Sequence, residues 1–444
     1  MIDFICGYPL FILLIGGGLF FLIYSKFVPI RYYGRAIQEL RKKDDGAPGQ
    51  ISSFEALSSA IAATVGMGNI AGVAIALSLG GPGAIFWMWV SAIVGMATKF
   101  FEGTLSIMFK GKDDRGEVQG GPMYMITTGL GPKWKPLAVF FSVFGLIGTL
   151  CLMQANQLTE SIITVFPPSS ENTTMIKLII GIVICLIVSA VILGGIKRIS
   201  KVATKIVPAM VALYLLLVLY IIFTHISVVP EVFASIFRDA FTVKAGVGGG
   251  VAGLLTIAMV GVRRAALVNE AGVGTASLMH GASKTKEPVK EGLVAMIGPS
   301  IDSGLVCTLT AIAILIQKEL IPMGGGFDSV EGLKIAINAF DASIPGVGKY
   351  LLLVMVFIFA FSTMFSYSYY GQKCTSYLFG AKYSKYYNYF FLLMLVVAAI
   401  IPLQAAVGII DFAYALMAFP TMFTLFILSP HVKREMNNYF NKNK

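Results

Sequence analysis

Apolar runs of about twenty residues, long enough to cross a bilayer as helices, recur from one end of the chain to the other. Polar and glycine-rich interruptions divide them into eleven predicted spans: roughly Tyr8–Lys26, Ile51–Leu79, Ala84–Phe109, Leu137–Val165, Met175–Leu193, Val202–Ile226, Gly246–Leu267, Gly292–Gln317, Tyr350–Leu378, Tyr387–Ile401 and Val407–Leu428. The second span breaks its own pattern, because its centre carries Thr64, Gly66, Gly68, Asn69 and Gly72. Each glycine weakens a helix interior by about 1 kcal/mol relative to alanine, and an asparagine in hydrocarbon needs a hydrogen-bond partner. A helix interrupted at mid-depth accommodates them all, since it offers bare amides to an anion and bare carbonyls to a cation. A close helix–helix contact through Gly68 and Gly72 is the alternative.

The polar stretch Ser227–Lys244 separates spans six and seven, with spans two to six on one side and seven to eleven on the other. Five is odd, so the second set enters the membrane from the opposite face, as an inverted repeat requires. The first span then stands outside the repeat. Such symmetry predicts that the seventh span is broken like the second. It carries Gly246, Gly248, Gly249, Gly250 and Gly253, then Gly261, Gly272 and Gly274, with Asn269 and Glu270 beside the last two. The chain accordingly divides into an extra span with a basic loop (1–50), a first repeat (51–226), an extracellular linker (227–244), a second repeat (245–429) and a cytoplasmic tail (430–444). Most of the 34 basic residues fall on one side of this layout, counting Arg263 and Arg264 with the inner loops, which predicts an outer N-terminus and an inner C-terminus.

Composition agrees with an all-α polytopic membrane protein. The chain is 57% hydrophobic and 13% charged, against about 25% charged in soluble domains. The net charge of +11 sits in short loops between spans and does not point to nucleic acid. The five cysteines are scattered singly and suggest neither a disulfide nor a zinc site. The first apolar run follows Asp3 and no basic residue, so it reads as a span and not as a cleaved signal. No metalloprotease helix, nucleophile elbow or phosphate-binding loop is present, so an enzyme or an ATP-driven pump is not expected.

Polar residues inside the spans are the candidates for function. Gln154 and Gln157 share a face of the fourth span and Asn156 lies beside them; Gln154 is the candidate for a site. Ser362 and Thr363 are adjacent hydroxyls in the ninth span. Facing an unwound second span, they suit a sodium ion, which takes hydroxyl and carbonyl oxygens without needing a carboxylate; back-bonding to their own helix is the alternative. Asp302 and Glu160 are candidate proton carriers. Lys99 and Glu102 are expected to pair with each other, and Asp411 to lie near a span end. Gln119-Gly120-Gly121-Pro122-Met123-Tyr124 is either a re-entrant segment or an ordinary loop, and Val330–Phe340 an amphipathic surface helix.

Three motifs carry a resemblance. Gly66-Met67-Gly68-Asn69-Ile70-Ala71-Gly72-Val73-Ala74, Gly80-Gly81-Pro82-Gly83-Ala84-Ile85-Phe86-Trp87-Met88-Trp89 and Gln119-Gly120-Gly121-Pro122-Met123-Tyr124, in that order, resemble the alanine or glycine:cation symporter family. Asn269-Glu270-Ala271-Gly272 and Ser368-Tyr369-Tyr370-Gly371 look like further motifs of it. The resemblance implies a LeuT-like fold with a 5+5 inverted repeat and sodium-coupled import of small neutral amino acids across the plasma membrane, with no cofactor beyond the coupling ion. It implies that the amides of Met67 and Gly68 hold the substrate carboxylate, and that Ala62 and Val65 carbonyls bind sodium with the hydroxyls of Ser362 and Thr363. It places Thr64, Asn69, Gly72, Gln154, Thr363 and Tyr367 at the substrate, with a loose contribution from Gly253–Ile257. Tyr367 stands where the family pattern leads one to expect tryptophan, which would widen or polarise the pocket towards serine or glutamine. Proton coupling, or an amino-acid-binding channel or sensor, are the other readings of the chain.

Overall fold

Each apolar run becomes a helix, and the ends are set by local chemistry. The computed structural model describes residues 8–41, 46–168, 172–242, 251–321 and 332–442, the side chains of 251–254 excepted. Helix α1 (Tyr8–Tyr24) is followed by the short α2 (Tyr33–Leu40). Helix α3 (Ser53–Thr64) starts at a reciprocal cap: Ser52 Oγ accepts from Glu55 N at 3.1 Å, and Glu55 Oε2 accepts from Ser52 N at 2.8 Å. The chain then unwinds, makes one 3₁₀ turn over Met67–Asn69 and resumes as α4 (Ala71–Gly80), bent by 58° from α3. The predicted break in the second span is thus present.

Helix α5 (Gly83–Met108) leads into a small antiparallel hairpin, Gly111–Lys112 with Val118–Gln119. Two helices, α6 (Lys135–Gly148) and α7 (Leu152–Val165), occupy the predicted fourth span. Together they make one span with an interruption near its middle, where Thr149 Oγ1 donates to Gly145 O at 2.7 Å and Cys151 takes a left-handed backbone. Next come α8 (Thr173–Ile192) and α9 (Gly195–Thr224), then α10 (Val229–Ala240), a helix inside the predicted linker. It lies on α5, where Trp87 Nε1 donates to Ala240 O at 3.2 Å.

The second half opens with α11 (Val251–Asn269), an irregular loop over 270–274 and the short α12 (Thr275–His280). A break is again present. It falls at Glu270–Gly274, later than the glycine run; Gly246, Gly248, Gly249 and Gly250 lie outside the described residues. Helix α13 (Pro288–Leu315) widens into a π turn over Ser300–Val306, which carries Asp302. Helix α14 (Gly332–Ser343) packs against α4, so close that a Cβ on Gly332 would meet Ala71 O at 2.7 Å; of the predicted Val330–Phe340 helix, residues 330 and 331 lie outside the described residues. Helices α15 (Gly348–Phe379), α16 (Ser384–Ala398) and α17 (Leu403–Lys442) complete the chain.

Seven helices among the described residues are long and apolar enough to cross a membrane, or eight with the bent pair α3–α4 counted as one. The other three predicted spans coincide with α1, α11 and α16. Helices α8, α9 and α16 turn Leu186, Leu216 and Leu393 outwards, faces suited to hydrocarbon. The broken pairs α3–α4 and α11–α12 lie inside, between α5, α13, α15 and α17.

The segment before α3 and the segment after α12 are strapped together. Gln50 N and Ile51 N donate to Ala282 O at 2.8 and 3.2 Å, and Lys284 N donates to Ile51 O at 2.8 Å. The Lys110 ammonium adds a bond to Ser283 O at 2.7 Å. Just inside, the buried pair His280 Nδ1–Glu291 Oε1 closes at 2.6 Å, and Ser53 Oγ donates to Glu291 Oε2 at 2.7 Å. The Gln119–Tyr124 stretch is not an exposed loop: Pro122, Met123 and Tyr124 are buried, and the Gly120 and Gly281 backbones approach too closely for a Cβ at either.

Candidate functional site

The two helix breaks meet. A Cβ on Gly68 would lie 3.2 Å from Val268 Cγ2, which is ordinary packing distance less a few tenths of an ångström. Beside this contact is a cavity of about 60 Å³, lined by both breaks together with α7, α15 and α17. Thr64, Met67, Gly68, Gly72, Gln154 and Tyr367, all expected at the substrate, lie on its wall.

The first break presents unused backbone groups. Gly66 N, which would have bonded Ala62 O had the helix continued, donates instead to Asn69 Oδ1 at 2.8 Å. Met67 N and Gly68 N donate to no group of the described chain, and the carbonyls of Ala63, Thr64 and Val65 accept from none. The freed Ala62 O accepts from Thr363 Oγ1 at 3.2 Å, across from α15. The predicted juxtaposition of Ala62 with Thr363 is therefore present. Both hydroxyls also bond back to their own helix: Ser362 Oγ and Thr363 Oγ1 donate to Phe359 O at 2.9 and 3.0 Å. Both readings of these residues coexist at Thr363.

Asn69 and Thr363 are not on the cavity wall. The Asn69 side chain is fully buried behind the break, where its Nδ2 donates to Asp302 O at 3.1 Å. Its geometry is that of a brace: it satisfies the orphan amide of Gly66 and ties the break to α13. The contribution expected around Gly253–Ile257 comes instead from Arg264, Leu267, Val268 and Glu270, about three turns further on, because the helix breaks later than its glycines suggest.

Several wall residues were not singled out from the sequence for this place. Arg263 and Arg264 belong to α11 and not to an inner loop, so counting them with the inner loops is corrected; Arg264 lines the cavity. Asp411, about two turns into α17, sits on the wall, faces Arg264 and pairs with Arg263 Nη2 at 3.4 Å. Glu270, at the second break, has a left-handed backbone (φ 52°). Its Oε2 accepts from Thr275 Oγ1 at 2.5 Å and its Oε1 from Tyr414 OH at 3.1 Å, and Tyr414 OH lies 2.5 Å from Tyr367 OH. The Tyr367 hydroxyl is thus shared with a neighbouring tyrosine.

The second break mirrors the first in one respect. Asn269 Oδ1 accepts from Ala271 N at 3.0 Å, an asparagine again capping an orphan amide. Gly272 N donates to Glu102 Oε1 at 2.5 Å. The expected private pair of Lys99 and Glu102 is replaced by a wider arrangement, in which buried Lys99 faces Glu102, Glu270 and Asp302. Glu160 stands apart, paired with Lys177 and partly exposed.

The chain matches the family model described as the sodium:alanine symporter family over residues 1–444. It is 38% identical to the sodium/alanine symporter AgcS of Methanococcus maripaludis, over 98% of this chain and 94% of that one. It is 33% identical to the amino-acid carrier protein AlsT of Bacillus subtilis, over 100% and 91%. Among solved structures it is similar to MhsT in complex with L-phenylalanine, with a TM-score of 0.60 and 14% identity over 86% of this chain and 90% of that chain. At that identity the likeness is one of fold, the LeuT-like arrangement of helices.

Proposed function

Because the chain belongs to the sodium:alanine symporter family, we propose that it is a secondary active transporter coupling sodium entry to the import of small neutral amino acids. Alanine and glycine are the main substrates in this reading, with serine and glutamine admitted beside them. The observation that carries it is the meeting of two broken helices at one small buried cavity, with bare amides and carbonyls on its walls. In water such groups would be solvated. Inside a membrane protein they cost several kcal/mol each unless a ligand satisfies them.

The substrate carboxylate is assigned to Met67 N and Gly68 N at the start of α4, where the helix dipole favours an anion. Thr64, Gly72, Gln154 and Tyr367 shape the pocket around it. Sodium is assigned to the Ala62 and Val65 carbonyls with the Thr363 and Ser362 hydroxyls, a hard-oxygen set fitted to that ion. Asn69 positions the break without touching substrate. In the membrane the chain is assigned eleven spans, an outer N-terminus, an inner C-terminus and the two five-helix repeats 51–226 and 245–429, in the plasma membrane. With the inner strap closed, the described arrangement suits loading from outside, and release inward follows its opening.

Labelled alanine uptake into proteoliposomes tests this directly. Accumulation above the outside concentration with an inward sodium gradient, at matched pH on both faces, is the expected result. Accumulation driven by a proton gradient alone would transfer the coupling role to Asp302, which is buried beside the first break. Uptake that only equilibrates would overturn symport in favour of a channel.

A further inference from the structure

An amino acid presents two charges, and the assignment above accounts for one of them. The first break supplies donors. The facing wall, made by the second break, supplies acceptors. Ala271 N and Gly272 N are diverted to Asn269 Oδ1 and Glu102 Oε1. The carbonyls of Leu267 and Val268 are thereby released, and both residues line the cavity. Beyond them stands the Glu270 carboxylate, 2% exposed and on the same wall.

Three features single out Glu270. Its left-handed backbone turns the chain at the end of α11, a conformation a glutamate adopts only under constraint. Its two oxygens are each held by a donated hydroxyl, from Thr275 and from Tyr414, and each carboxylate oxygen has a second lone pair to offer. The surrounding charges are unbalanced. Glu102, Glu270 and Asp302 all face the ammonium of Lys99, and Asp411 faces Arg263 and Arg264, so four carboxylates meet three cations. One further cation belongs at this wall.

We propose that the Glu270 carboxylate binds the ammonium group of the transported amino acid, opposite the amides that take its carboxylate. The proposal rests on the transporter reading above and sharpens it: the substrate must carry a protonated amine, and a hydroxy acid of the same skeleton is rejected. Tyr414 and Thr275 are positioning residues, holding the carboxylate without touching the ligand.

The test compares alanine with lactate, in which a hydroxyl replaces the ammonium. Dissociation constants are measured by isothermal titration on the full chain in nanodiscs at saturating sodium, for the wild type, Glu270→Gln and Glu270→Asp. Removing one buried charge from a charge-assisted pair predicts a loss of alanine affinity of about 30-fold or more in Glu270→Gln. Lactate affinity is expected to stay the same, so that the preference for alanine collapses, with partial recovery in Glu270→Asp. The sodium concentration for half-maximal alanine binding by the wild type and Glu270→Asp is expected to agree. Retention of the full alanine-over-lactate preference in Glu270→Gln would overturn the proposal and leave the ammonium to the Leu267 and Val268 carbonyls. Should Glu270→Gln fail to fold, Tyr414→Phe, which removes the donor to Oε1, is expected to lower the preference several-fold, and an unchanged preference would count against Glu270 equally. A wild type that binds none of alanine, glycine, serine or glutamine would overturn the transporter reading itself, a result distinct from a wild type that binds alanine with a silent Glu270.

Discussion

Thr363 serves two partners from one hydroxyl, the Phe359 carbonyl of its own helix and the Ala62 carbonyl across the break. Among the described residues, Ser362 bonds only within its own turn. Substitutions should separate them. Thr363→Ala is expected to raise the sodium concentration for half-maximal uptake about tenfold, equivalent to ~1.4 kcal/mol, with Thr363→Ser restoring most of it; Ser362→Ala should move it less. Equal sodium titrations in all three variants would relocate the ion. Tyr367 makes a different prediction. Its hydroxyl is engaged by Tyr414, so Tyr367→Trp removes that link and adds bulk at the cavity wall. Competition against labelled alanine should then shift towards glycine and away from glutamine; an unchanged ranking would remove Tyr367 from selectivity. Asn69 acts on stability before selectivity. Asn69→Ala leaves the buried Gly66 amide without an acceptor, and is expected to lower unfolding stability by about 1–3 kcal/mol, read as a fall in Tm. The hydroxyl pair at 362–363 and the polar centre of the second span were legible from the sequence because residue type alone carries the signal. The direction of the Asn69 side chain was not, since an asparagine at a break serves ligand or backbone equally well until the packing decides.

At the scale of helices, an interruption works only if its orphan groups are either filled or kept for a ligand. Both breaks here use an asparagine to fill one amide and leave others open. The bend depends on Gly66 in particular, where a Cβ would come within 2.6 Å of Thr363 Oγ1. Gly66→Ala must push that hydroxyl off the Ala62 carbonyl or shift the backbone. It is therefore expected to reproduce the sodium phenotype of Thr363→Ala; uptake with wild-type sodium dependence would show that the break tolerates a side chain. The location of the first break followed from a tight cluster of glycine and asparagine. The second was expected from symmetry, but its place was blurred by glycines spread from 246 to 274. Only the cap at Asn269 and the left-handed Glu270 fix it. Arg263 and Arg264 were read as loop charges for a related reason. Hydropathy does not distinguish charges at a membrane surface from charges on a helix that borders an internal cavity, and only the pairing of Arg263 with Asp411 of α17 separates the two.

For the whole molecule, the fold follows from long apolar runs that satisfy their own backbones, and the predicted spans find their helices even where the apolar signal is weak, as in α1, α11 and α16. What no linear pattern conveyed was the strap between the segments flanking α3 and α12, because its bonds join residues over two hundred positions apart. In the orientation proposed above, that strap has a use beyond closing the inner end. The amide hydrogens of Gln50, Ile51 and Lys284 are held in its hydrogen bonds, so their replacement by deuterium is expected to keep time with its opening. Exchange at these three sites should slow when sodium is present without substrate, and quicken when alanine is added, in step with turnover. The hydrogen bonds that shut the door would then also count how often it swings.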